Sequence, residues 1–200
     1  MDISLKFHTD PAAQIPVSLS AINHLIDGSN DPQSFVFYLS SINALKKFQA
    51  ASNPGVDDLF VEVINVTSLW AATTTKVLND TVRTTAKNGY RYKAQAVAGA
   101  GNTGASEPAW TLTIGQTVVD GDITWINDGK LHESTEMKLA LSLVGLDTAV
   151  AGASVNLGSV ITGGAANNIP LYIRVDDATA IVDKFVDLGI GVLNARELAI

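Results

Sequence analysis

G-A-G-N-T-G-A-S-E-P-A-W (99–110) and I-G-Q-T-V-V-D-G-D-I-T-W (114–125) are the stretches that decide the fold of this chain. Asp120-Gly121 stands between two β-branched runs, which is the strongest signal for a two-residue β-hairpin in the sequence. The loop that precedes the hairpin, residues 98–109, contains three glycines, which predicts an irregular backbone instead of a helix. The two stretches therefore predict a small β unit.

The tryptophans mark the extent of this unit. All three tryptophans of the 200-residue chain lie between residues 67 and 131. An indole buries a large apolar area, so a segment that holds all three is expected to build a core of its own. We predict an inserted Trp/Gly-rich β module at 67–131, within a host domain formed by 1–66 and 132–200. At about 65 residues the module is near the lower size limit for folding unaided.

The host sequence is typical of an antiparallel β-sandwich. Short runs alternate apolar and polar residues and are separated by turn signals. The predicted strands are 3–8, 17–19, 34–39, 57–66, 137–144, 153–160, 169–177 and 186–192. Residues 40–51 suit a short helix or a loop between strands. We expect 57–66 and 137–144 to be adjacent strands of one sheet, with the module inserted between them.

Composition excludes several classes of protein. The net charge of -7, with only 13 Lys and Arg, argues against a nucleic-acid surface. The absence of cysteine removes disulfides and zinc-thiolate sites. No run reaches the roughly 18 apolar residues of a membrane span, and the N-terminus lacks a signal-peptide pattern. The chain is expected to be soluble, and no cofactor or metal is predicted.

Catalytic patterns are also missing from the sequence. His8, His24 and His132 are the only histidines, and none has a recognisable catalytic spacing. His8 is expected on the exposed face of a strand and His132 in the hinge after the module. The acidic pairs are expected at turns and strand ends, with Asp120 opening the hairpin turn, and Glu107 is expected to fix its loop by accepting backbone N–H bonds. We predict that the protein is not an enzyme.

Residues 88–129 resemble a motif of bacteriophage tail, fibre and other virion proteins. That motif has an N-G-x-x-Y-like opening, a G-x-x-G-x-x-E-P-x-W core and a closing D-G-x-x-x-W. Here the residues that define the module are Gly101, Gly104, Glu107, Pro108 and Trp110 in the core, and Asp120, Gly121 and Trp125 in the closing element. Trp70 and the residues after it resemble the opening strand, although the usual G-D turn is Asn79-Asp80 here.

A second stretch, 155–175, resembles a strand pair of immunoglobulin-like domains on phage virions. The resemblances together imply an immunoglobulin-like β-sandwich with an inserted small β domain, and a non-enzymatic structural component of a virion assembled in the host cytoplasm. The expected location is the tail or baseplate, with head decoration as an alternative. The expected partners are other virion proteins, with the chain present as a homo-oligomer or in many copies.

A carbohydrate-binding adhesion module that contacts the host cell surface is the second hypothesis. Aromatic rings can stack on the apolar face of a sugar. The candidate glycan or partner contacts are Trp110, Tyr90 and Tyr92. At least two of the three tryptophans are expected to be core residues, and Trp110 is expected to be the most exposed of them.

Overall fold

The computed structural model describes residues 4–12, 33–176 and 187–200. The predicted strand at 17–19 and His24 lie outside these residues. Among the described residues, no helix is long and apolar enough to cross a membrane. The chain divides into two compact units, a host unit of Met1–Ile64 with Glu133–Ile200 and an insert unit of Asn65–His132. The insert unit starts two residues before the predicted module and ends one residue after it.

Nearly all regular structure is β, so the prediction of an all-β fold is confirmed. The strands are β1 (Lys6–His8), β2 (Gln33–Ser40), β3 (Lys46–Ala50), β4 (Leu59–Asn65), β5 (Ser68–Leu69), β6 (Thr81–Arg83), β7 (Tyr90–Val97), β8 (Thr117–Asp120), β9 (Ile123–Lys130), β10 (Met137–Ala140), β11 (Val155–Gly158), β12 (Ile161–Thr162), β13 (Ile169–Val175), β14 (Leu188–Val192) and β15 (Ala195–Ala199). A one-turn helix, α1 (Gly145–Thr148), and two 3-10 turns complete the described elements.

Within the described ranges, the strands of the host unit form three sheets that share one apolar core, with antiparallel pairs in each sheet. Their strand orders are β1-β2-β13-β10, β11-β4-β14 and β12-β3-β15. Alternate residues of β13 point inward, namely Leu171, Ile173 and Val175. Members of the core come from all three sheets and include Phe7, Leu39, Phe48, Val61, Leu139, Ile161, Leu171, Ile173 and Ile190. The core agrees with an antiparallel β-sandwich, while the immunoglobulin-like topology remains a prediction.

The predicted pairing of 57–66 with 137–144 is wrong. β4 lies between β11 and β14, whereas β10 pairs with β13 in another sheet. Alternation of apolar and polar residues predicts that a segment is a strand but does not choose its partner. The second strand is also shorter than predicted, because it ends at Ala140 and the chain then turns into α1, which leaves Leu143 56% exposed.

The predicted strand pair within 155–175 is also wrong. β11, β12 and β13 each join a different sheet, pairing with β4, β3 and β2 respectively. The chain changes sheet at glycines. Gly158 has a φ of +80°, and a Cβ on Gly163 would come within 2.2 Å of the Asn43 carbonyl oxygen. The segment 40–51 is neither a helix nor only a loop, since β3 occupies 46–50.

The insert unit is built on one five-stranded sheet with the order β5-β6-β7-β9-β8. Its strands are antiparallel except for the short β5-β6 pair, which is parallel. The predicted hairpin is present as β8-β9, in which Asp120 pairs with Ile123. The two turn residues are therefore Gly121 and Asp122, and Asp120 belongs to the strand.

The insert unit has its own apolar core, separate from that of the host unit. Its buried members are Trp70, Val82, Tyr92, Ala94, Ile123 and Trp125, with Tyr90, Trp110 and Val118 packed against them. The prediction that at least two indoles are core residues is confirmed, because Trp125 is fully buried and Trp70 is 9% exposed. Trp110 is half-buried and is the most exposed of the three, as predicted.

Candidate functional site

The candidate site is the set of motif residues around the buried carboxylate of Asp120. Asp120 is the last residue before the hairpin turn, and it is only 4% exposed. Its Oδ2 accepts hydrogen bonds from the indole nitrogens of Trp70 at 2.8 Å and Trp125 at 2.9 Å. Its Oδ1 accepts the backbone N–H of Gly104 at 2.8 Å. One side chain therefore joins two core indoles and the glycine-rich loop.

The motif glycines allow that loop to lie directly against the hairpin. A Cβ on Gly104 would be 2.7 Å from Asp120 Oδ1. Gly121 has a φ of +60°, and a Cβ there would be 2.6 Å from the Asn102 carbonyl oxygen. Gly101 has a φ of +73°, and its Cβ would be 2.8 Å from the Lys76 carbonyl oxygen. All three positions therefore require glycine for reasons of space, and two of them also for backbone conformation.

Glu107 holds the far end of the loop. Its carboxylate accepts the backbone N–H of Thr85 at 3.0 Å and the indole N–H of Trp110 at 2.9 Å, and it also accepts the hydroxyl of Thr85. Burial raises the pKa of Glu107, but the hydrogen bonds from Thr85 and Trp110 outweigh this effect, and the pKa lies below its usual value. Glu107 accepts a backbone N–H as predicted, although from a segment outside its own loop. Pro108 is half-buried between Glu107 and Trp110.

Trp110 covers the core next to Tyr92. The two ring centroids are 4.2 Å apart and the ring planes are inclined by 36°. Tyr92 is fully buried, its hydroxyl donates to the Thr111 carbonyl at 2.9 Å, and it accepts from Asn88 Nδ2 at 2.8 Å. Burial raises the pKa of Tyr92 above its usual value, against the lowering effect of the Asn88 hydrogen bond. Tyr92 offers no surface to a glycan, so its prediction as a contact residue is wrong.

Tyr90 and Trp110 remain as half-buried aromatic residues. Lys130 Nζ lies 4.1 Å from the centroid of the Tyr90 ring, which is within the range of a cation–π interaction. One face of Trp110 is taken by Tyr92, and its indole nitrogen by Glu107. Both residues therefore present only part of a ring to a ligand.

Two amide side chains complete the frame, and sequence reasoning missed them. Asn127 is 1% exposed, and its Nδ2 donates to the Thr111 carbonyl at 2.9 Å. Asn65 Nδ2 donates to the His132 carbonyl at 3.1 Å, which ties together the first and last residues of the insert unit. Asn127 lies two residues after Trp125 in β9, so the inward alternation of that strand could have indicated it.

His8 and His132 are the histidines among the described residues, and both are buried. His8 is 4% exposed, with Nε2 3.3 Å from the Ser40 carbonyl oxygen, so its prediction as a surface residue is wrong. His8 pairs in register with Tyr38 of the adjacent strand β2. Asp57 and Asp58 are exposed before β4, as predicted for charges at a strand end. Within 4–12, 33–176 and 187–200, no group of three or more metal-ligating side chains is close enough to hold an ion.

Comparison of the chain with protein-family models, with curated proteins and with solved structures found no match. The resemblance of the motif to phage virion proteins is therefore carried by the motif residues alone.

Proposed function

We propose that the chain is a non-enzymatic structural component of a bacteriophage virion, associated with the tail or baseplate and present in many copies. The observation that carries the proposal is the structural role of the motif residues. Their glycines, indoles and carboxylates form one interlocked frame around Asp120. A motif that resembles one in virion proteins thus has a scaffolding role in this chain.

The two motif carboxylates are occupied by structural hydrogen bonds. Both oxygens of Asp120 and both oxygens of Glu107 accept bonds from groups of the insert unit. A carboxylate that acts as a general acid or base needs access to a substrate proton. This supports the non-enzymatic part of the proposal. Hydrolysis of a bacterial polysaccharide that is lost on replacing Asp120 or Glu107 would overturn it.

The host unit supports the proposed virion role less than the resemblance of its sequence suggested. The strand pair within 155–175 that resembled virion domains is absent, so the proposal rests on the insert unit. The resemblance implies a virion component without a position in the particle; tail or baseplate is the proposed position, and head decoration is the alternative.

Quantitative mass spectrometry of purified particles tests the proposal. Particles from cells that carry the gene should contain the chain at a fixed ratio to the major capsid protein. A cryo-EM map of the same particles should place it on the tail or baseplate, whereas density on the capsid would favour head decoration. Particles that assemble and infect without the chain would overturn a structural role.

Carbohydrate binding through Trp110 is the second candidate, and the half-buried position of that ring favours it. A glycan array should then show binding that is lost in Trp110→Ala and retained in Trp110→Tyr, which keeps an aromatic surface. Trp110→Ala also uncovers Tyr92, so retained emission from the two remaining indoles must establish that the unit is folded. Absence of binding by the wild-type chain at millimolar sugar would exclude this function.

A further inference from the structure

β8 is an edge strand without the usual protection against pairing. It is the last strand of the insert sheet, and among the described residues its only strand neighbour is β9. Proteins protect such edges with charged side chains, proline or bulges. β8 reads T-V-V-D, its register with β9 is regular, and its one charged residue, Asp120, points into the core. Val119 is 70% exposed.

The uncharged surface extends beyond the strand. Residues 108–119 contain no charged side chain. Leu112 and Ile114 in this stretch are 59% and 55% exposed. The turn before β8 is held to β9, since Gly115 donates to the Asn127 carbonyl at 2.9 Å. The apolar residues of the turn therefore continue along the margin of the sheet that β8 forms.

We propose that this margin pairs with the same margin of a second copy of the chain, through an antiparallel β8–β8 contact. In an antiparallel contact about a two-fold axis, the residues close to the axis lie near their own copies, so the contact requires that no charged side chain lies there. A stretch of twelve uncharged residues meets this condition. The chain as a whole carries a net charge of -7, which makes a charged surface a poor choice for self-association. This inference rests on the proposed function and names one contact of the multicopy assembly.

A four-residue strand gives a weak contact in solution. In an assembly, however, neighbouring copies are held at an effective concentration of roughly millimolar. A dissociation constant of roughly 10–100 µM is therefore sufficient for the contact to form in a particle.

Analytical ultracentrifugation of the full chain between about 5 and 500 µM tests the contact. The wild type should form a dimer as the concentration rises. Val119→Lys and Val119→Asp should each remain monomeric, because like charges then meet across the two-fold. An equimolar mixture of the two variants should restore the dimer. Val77→Lys, which changes a 62% exposed valine outside the sheet, should dimerise like the wild type.

Tryptophan emission of each variant establishes that the insert unit is folded. Leu112→Lys is a second variant that adds a charge to the same margin, at a residue outside β8. A wild type that is monomeric up to about 500 µM would overturn the β8 contact. Dimers that persist in Val119→Lys, or a mixture that stays monomeric, would also overturn it. A monomeric chain found in many copies on particles would remove this contact and leave the virion role. A chain that dimerises through β8 but is absent from particles would overturn the virion role and leave the β8 contact.

Discussion

The carboxylate of Asp120 is predicted to determine whether the insert unit folds. It accepts three hydrogen bonds, two of them from buried indoles. A buried donor that loses its acceptor costs about 1–3 kcal/mol. Asp120→Ala removes the acceptor of three donors and is expected to lower the free energy of unfolding by about 3–9 kcal/mol. A core of this size rarely supplies more than about 3–5 kcal/mol, so the unit is expected to be unfolded in that variant.

Asp120→Asn is the sharper test because it keeps the shape of the side chain. An amide has one oxygen, so it can accept from the indoles or from Gly104, and its NH₂ then faces the remaining donor. Asp120→Asn loses one hydrogen bond and the negative charge that strengthens the remaining ones, so it is expected to lower the free energy of unfolding by about 2–4 kcal/mol.

Urea unfolding followed by tryptophan emission measures this effect in one unit. Trp70, Trp110 and Trp125 are the only tryptophans of the chain and all lie within 65–132, so their emission reports the insert unit alone. Asp80→Asn is the matched control, since Asp80 accepts a single exposed hydrogen bond, from Val77 N. It should change the free energy of unfolding by less than about 1 kcal/mol. A value for Asp120→Asn within about 0.5 kcal/mol of wild type would refute the reasoning.

The remaining predictions concern a glycine pair and a host carboxylate. Gly121→Ala is expected to destabilise the insert unit by more than about 2 kcal/mol, because its Cβ has no space. Gly89→Ala is the control, because Gly89 has a φ of +79° but open space around it, and it should cost about 1 kcal/mol. Equal urea midpoints for the two variants would contradict the role of the close contact between Gly121 and the Asn102 carbonyl. The hydrogen bond from Lys46, together with those from Ser4, lowers the pKa of Glu197 from 4.5 to about 2. Because the folded pKa is lowered, the Glu197 carboxylate stabilises the folded host unit above the unfolded pKa, and this contribution should be lost as the pH falls from about 4.5 to about 2. Acid unfolding followed by circular dichroism should therefore depend less on pH in Glu197→Gln than in the wild type. An acid transition that is unchanged in Glu197→Gln would count against the assignment.

The sequence determined the local β-structure of this protein. Alternation predicted β1, β13 and β14 because a half-buried strand repeats every two residues, and the density of β-branched residues predicted β4. Asp120-Gly121 predicted the hairpin, since a tight two-residue turn is a local property of the backbone. The clustering of the tryptophans indicated a separate core for the same segment, because large apolar areas must be buried together.

Tertiary structure decided which strands pair and which polar groups are buried. The sequences of β4 and β10 are compatible with pairing to each other or to other strands. Only the packing of the three host sheets gives them different neighbours. The burial of His8, Tyr92 and Asp120 likewise depends on segments distant in sequence, as Asp120 meets Trp70 across 50 residues. A periodic pattern records which side of a strand is apolar, but the hydrogen-bond partner of a buried carboxylate exists only when distant segments have been brought together.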